Sequence, residues 1–141
     1  MRFTLISSSS KYIQAIHLHL DGFKGALSIN NKSIEIPKRK FPQIVFSENS
    51  VHRQFDLKVE LDNGDLCICN SCCDESKLPG VFESLVYGCG MIIEKLNDNR
   101  YRFLCNDIDD DDDFDDFIFE MEILDQEHKG TVSVKTDLDK N

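Results

Sequence analysis

The clearest pattern in the chain lies at residues 54–70. Phe55, Leu57, Val59 and Leu61 alternate with Asp56, Lys58 and Glu60, and further on Leu66 and Ile68 alternate with Cys67 and Cys69. Alternation at period two puts apolar side chains on one face of an extended strand and polar ones on the other. Between the two runs stands Asn63-Gly64, a pair suited to the positive φ angles of a tight type I′ turn. The pattern predicts an antiparallel hairpin turning at Gly64.

Similar alternation predicts further strands. Ile16, Leu18 and Leu20 alternate with His17 and His19. Leu27 and Ile29, then Ile34 and Ile36, flank a turn at Asn30, Asn31 and Lys32. Pro37 ends the second of these runs, because it has no amide hydrogen to give a ladder. Residues 43–46 form a short apolar run. Residues 89–106 read as a hairpin turning at Asn97, Asp98 and Asn99, with Tyr101, Phe103 and Cys105 on one face. Residues 117–124 and 131–136 read as a last hairpin, turning at Gly130.

Helix is scarce in this pattern. Residues 78–87 are the best candidate: Pro79 suits a first turn, Phe82, Leu85 and Val86 have helical spacing, and Gly88 and Gly90 would end it. At residues 10–20 strand and helix compete, since Ile13, Ile16 and Leu20 also fit a helix and a preceding serine could cap it. Many short strands with few helices predict an α+β fold, mainly antiparallel β, a sandwich or curved sheet built of hairpins with one or two short helices. A length of 141 residues fits a single domain spanning 1–141, with an acidic segment at 107–127.

Charge sharpens the picture. The formal net charge is −10. Residues 1–58 hold nine Lys/Arg against four Asp/Glu, whereas residues 59–141 hold seven against 22. Such asymmetry disfavours nucleic acid and anionic membrane as partners and favours something basic. No segment has the length of a membrane span or the apolar core of a secretion signal, so a cytoplasmic protein with six reduced cysteines is expected.

The charge concentrates in one place. Between Asp107 and Asp116, eight of ten residues are aspartate. From Asp107 through Glu127 there are twelve acids and no Lys or Arg. Eight crowded carboxylates destabilise a compact state unless they are solvated in a loop or met by a basic partner. Phe114 lies inside the run and Phe117 just after it. Aromatic anchors amid complementary charge are what a tight protein interface uses. Asp109, Asp110, Asp111, Asp112 and Asp113 are therefore the candidate steering charges. Phe114 and Phe117 are the candidate anchors, and Asp115, Asp116, Glu120 and Glu122 the charged rim.

Other chemistries fit less well. A calcium loop starting at Asp109 would place Asp111, Asp113 and Glu120 at its third, fifth and twelfth positions, but its sixth, which wants glycine, is Phe114. Cys67, Cys69 and Cys72, with Cys89 as a fourth ligand, could hold zinc, yet only one C-x-x-C is present and the spacing matches no standard knuckle. His17 and His19 share a strand face, but two ligands make no site. No phosphate loop, nucleophile elbow or dinucleotide fingerprint occurs, so neither an enzyme nor a cofactor or bound metal is expected.

A small, acidic, mainly β chain of this kind, with the segment 107–127, resembles the immunity proteins of bacterial contact-dependent growth inhibition systems. The resemblance implies an inhibitor that binds a cognate basic toxin domain, a nuclease by the charge argument, and blocks its active site or substrate groove. Two alternatives remain from the residues alone. One is an inhibitor that imitates DNA, as anti-restriction factors do, although the charge is concentrated in one segment and not spread at phosphate spacing. The other is a metal-binding β domain built on the cysteine cluster.

Overall fold

The computed structural model describes residues 1–40, 42–82, 90–109 and 113–124, with Leu61 described by its backbone alone. Eight strands are formed among them. They are β1 (Arg2–Ser8), β2 (Ile13–Ile29), β3 (Lys32–Ile34), β4 (Gln43–Ser47), β5 (Gln54–Cys73), β6 (Met91–Asn97), β7 (Arg100–Cys105) and β8 (Phe117–Glu122). Every pairing is antiparallel, in the order β3-β2-β5-β1-β8-β7-β6, with β4 also on β2. The mainly antiparallel expectation holds.

The expected hairpin at Gly64 does not form. β5 is one continuous strand of 20 residues, paired with β2 from Ile13↔Cys73 to Ile29↔Leu57. The ladder is irregular only between Asp21 and Gly25, opposite Leu61 to Asp65. There Gly64 has φ 88° and Gly22 has φ 57°. The left-handed glycine thus serves a bend shared by two strands and not a reversal of one. The apolar phase records this. Inward residues of β2 switch from Ile16, Leu18 and Leu20 to Leu27, all at most 2% exposed. Those of β5 switch parity across the same level, as irregular residues in a ladder require.

The competition at residues 10–20 resolves as strand. β4 and β5 flank this half of β2 and satisfy its backbone on both edges, so tertiary pairing overrides the helical spacing. Residues 74–80 form turns, with the Leu78 amide donating to the Asp74 carbonyl at 3.0 Å. No helix occurs among the described residues, and the rest of that helix candidate, residues 83–87, lies outside them, as does the partner strand expected at 131–136. No helix of the described residues is long and apolar enough to cross a membrane.

Other expectations are met. Asn30 and Asn31 take φ of 46° and 65° in the tight β2–β3 turn, and β6 and β7 form the expected hairpin. The core gathers Phe3, Ile16, Leu18, Phe46, Phe55, Leu57, Phe103, Cys105, Phe117, Phe119 and Met121. Its aromatic spine runs Phe46–Phe55–Phe3–Phe119–Phe103, with successive ring centroids 4.5–6.3 Å apart. Each fully buried Phe contributes about 1.5–3 kcal/mol, so this spine ties β4, β5, β1, β8 and β7 into one unit.

Candidate functional site: the acidic β7–β8 connection

The acidic run joins β7 to β8, and its two ends are fastened before any charge reaches solvent. Asn106 donates its amide to the Gly90 carbonyl at 2.9 Å and accepts the Phe114 amide on Oδ1 at 2.6 Å. Its own carbonyl accepts from Asn70 Nδ2 at 3.0 Å. Asp107 and Asp116, 2% and 8% exposed, face each other across the base of the connection, where the Asp107 amide donates to Asp116 Oδ2 at 3.0 Å. The Asp107 carboxylate also accepts the Asp109 amide at 2.7 Å and the Ser10 hydroxyl. The bond to the Asp109 amide is of the Asx type, in which a short acidic side chain caps the backbone two residues on.

The β1–β2 connection forms the other wall. Ser9 donates its amide to the Asp116 carbonyl at 2.9 Å and its hydroxyl to the Asp115 carbonyl at 3.0 Å. The Tyr12 hydroxyl donates to Asp109 Oδ1 at 2.9 Å, and Lys11 Nζ lies 3.1 Å from Asp109 Oδ2. Hydrogen bonds from Lys11, then Tyr12, hold the Asp109 carboxyl below its usual range.

Phe114 adopts φ 56°. The position where the calcium loop wants glycine thus takes the left-handed conformation with a phenylalanine. The Asn106 side chain caps the Phe114 amide, and the ring lies so close to Gly90 that a Cβ there would stand 3.0 Å from Phe114 Cε1. Local contacts thus offset the strain of a few kcal/mol at most. The calcium reading fails for a different reason. Glu120, its proposed twelfth ligand, is turned away and held by two arginines. Asp113, Asp115 and Asp116 do bring carboxylate oxygens within 4.8 Å of one another, but Asp116 is already engaged by the Asp107 amide.

Three proposed interface residues are internal. Phe117 is 1% exposed and packs against Phe119 at 5.4 Å, a core residue and not a surface anchor. Strand alternation puts it on the apolar face of β8 with Phe119 and Met121. Asp116 is buried as a cap. Glu120 is 4% exposed and neutralised from within. Its Oε1 accepts Arg102 Nε at 3.0 Å and Nη2 at 2.8 Å, and its Oε2 accepts Arg100 Nε at 2.8 Å and Nη2. Burial raises the Glu120 pKa, but the hydrogen bonds and charges of Arg102 and Arg100 outweigh it, and the net shift is downward.

Five proposed residues reach the surface: Asp113, Asp115 and Glu122, exposed, and Asp109 and Phe114, half-buried. Asp113 and Asp115 stand together, and the Asp113 charge is the main cause that raises the Asp115 carboxyl. Glu122 sits at the far end of β8, about 20 Å away at strand rise. Asp110, Asp111 and Asp112 lie outside the described residues. The supporting residues Ser10, Lys11, Tyr12 and Asn106 carried no sequence signal. Ser10 and Tyr12 lie 97 positions from the aspartates they bind, and only the fold joins them.

The cysteine set Cys67, Cys69 and Cys72 is split by the pleat. Cys67 and Cys69 stand opposite His19 and His17, whereas Cys72 pairs with Gln14 on the other face and is 2% exposed. Cys89 lies outside the described residues. Comparison with protein-family models, curated proteins and solved structures returns no match for the chain.

Proposed function

We propose that this chain is a binding protein, an inhibitor of the immunity-protein kind, acting in the cytoplasm on a basic toxin domain. It takes its partner on the β7–β8 connection. The observation that carries the reading is the pair Asp113 and Asp115. Two exposed like charges are held side by side on a connection whose base is capped by buried aspartates and pinned to residues 9–12. A partner's Arg or Lys would relieve that repulsion, and a charge fixed in advance loses little entropy on binding. Phe114, half-buried against Gly90, is the remaining aromatic contact. No catalytic role is assigned.

The same geometry gives less support to DNA imitation. Asp107, Asp116 and Glu120 are withdrawn into hydrogen bonds, so these three of the described acids add no outward charge to a row at phosphate spacing. The test is to look beside this gene for a reading frame that encodes a basic toxin-like domain, to co-express that domain with this chain, and to measure binding kinetics of the purified pair. Growth should be restored, and the double variant Asp113→Asn/Asp115→Asn should associate about tenfold more slowly with a flatter salt dependence. Failure to bind that domain overturns the reading. An unchanged rate and salt slope removes these two aspartates from it.

A further inference from the structure

The face of the β2–β5 ladder opposite Ile16, Leu18 and Ile68 brings together two pairs that the sequence keeps 48 or more residues apart. In register, His17 stands directly opposite Cys69 and His19 directly opposite Cys67. Directly opposed residues have Cβ atoms about 4.5–5.5 Å apart, and next-nearest residues of one strand lie about 6.7 Å apart on one face. The four side chains therefore occupy the corners of one small rectangle. The two imidazole rings are stacked, with centroids 4.5 Å apart and planes within 10°.

His17 supplies an independent sign of a ligand. The residue is 2% exposed, and its Nδ1 is buried without a hydrogen-bond partner. Its other nitrogen, Nε2, lies 3.0 Å from Gln43 Oε1 on β4. An amide oxygen can only accept, so Nε2 carries the proton and Nδ1 carries the lone pair. A buried lone pair with nothing to receive it is costly. A ring whose far nitrogen is oriented by a neighbouring oxygen is also the arrangement found around metal-bound histidines, where the second partner fixes tautomer and ring angle.

The geometry points to a zinc site made by His17, His19, Cys67 and Cys69, with Gln43 as the positioning residue for His17. Two thiolates and two imidazoles are the donor set of tetrahedral zinc, at about 2.3 Å to sulfur and 2.0–2.1 Å to nitrogen. The donor atoms are not gathered within 4.8 Å of one another, so binding requires a rotamer change. It falls to Cys67, which is exposed, and His19, which is half-buried. Cys67 and His19 lie on the face of the ladder opposite Ile16, Leu18 and Ile68. On binding, the Cys67 and Cys69 thiols give up their protons and the histidines bind as neutral rings. The site is independent of the acidic connection and of the partner proposed for it.

The test uses the full chain without a histidine tag, stripped of metal and titrated with cobalt(II) and then zinc. One equivalent of cobalt should give thiolate charge-transfer absorption and tetrahedral d–d bands, and zinc should abolish both. Cys67→Ser and His19→Ala should each weaken binding about a hundredfold or more, and Gln43→Ala about tenfold, with the fold kept by circular dichroism. Cys67→Ser tests the site even if changes at buried His17 unfold the chain. Absence of a one-to-one complex overturns the proposal. So does tight binding that survives both Cys67→Ser and His19→Ala, which would place the metal on other cysteines.

Discussion

A side chain on Gly64 would collide with the backbone of Gly22. The two glycines meet where β2 and β5 bend together, and a Cβ on Gly64 would also stand 2.6 Å from the Phe23 amide nitrogen. Around Gly22, by contrast, a Cβ meets nothing within 4 Å. The two sites therefore separate steric from torsional cost. Gly22→Ala is expected to cost about 1–2 kcal/mol, from left-handed strain alone. Gly64→Ala adds a backbone clash and is expected to cost roughly 3–5 kcal/mol. Urea unfolding of both variants checks the difference, and equal losses would contradict the shared bend.

Glu120 should act as an acid-sensitive clamp. Glu120→Gln removes the acceptor charge between Arg100 and Arg102 and is expected to destabilise by about 1–3 kcal/mol, moderated because both arginines are partly solvated. The carboxyl's pKa is lower in the folded state than in the unfolded chain. Its contribution is therefore complete at neutral pH and is lost as pH falls through the ordinary carboxylate range toward the folded value. The variant should show a shallower loss of stability on acidification than the parent, measured by thermal melts from neutral to acidic pH.

Asp115 should respond with the opposite sign. Its carboxyl titrates above its usual value, chiefly because of Asp113. The pair's penalty is relieved on acidification and returns as pH rises through that raised value. In Asp113→Asn the Asp115 carboxyl should titrate lower, followed by carbon-detected NMR. No change would mean that the two charges do not sense each other.

Phe114 and Phe117 should part company on truncation. Phe117→Ala empties a core position and is expected to cost about 3–5 kcal/mol. Phe114→Ala removes a half-buried ring that lies on Gly90, and its loss should fall well below that, with the larger effect on the off-rate of a bound basic partner. Similar stability losses for the two would overturn the placement of Phe117 as core and Phe114 as surface.

What could be read from the residues was the periodicity. Ile16, Leu18 and Leu20 against His17 and His19, and the β6–β7 hairpin, appear in the fold as the alternation requires. The Gly64 hairpin misled because Asn-Gly is a local signal, whereas the bend is made by two strands at once. A clue was present: the apolar positions change from odd to even in residues 55–68 and from even to odd in residues 16–29. The acidic site was half legible. Its composition marked the place, but whether an aspartate caps backbone or faces solvent depends on Ser10, Tyr12 and Asn106. Strand alternation alone assigns Phe117, with Phe119 and Met121, to the buried side. The facing of His17 and His19 with Cys69 and Cys67 depended on register, which no single segment contains.

The central position of β1 has a kinetic consequence. β1 pairs Thr4 with Glu120 on one edge and with Gln54 on the other. A strand from the first residues must wait for one from the far end before both its edges are closed. Loop closure over such separations is entropically slow, so refolding should take milliseconds to seconds. During synthesis the β1 edge stands open until Phe117–Glu122 leaves the ribosome. In that interval a chaperone, or another nascent chain, competes with β8 for the same row of amides.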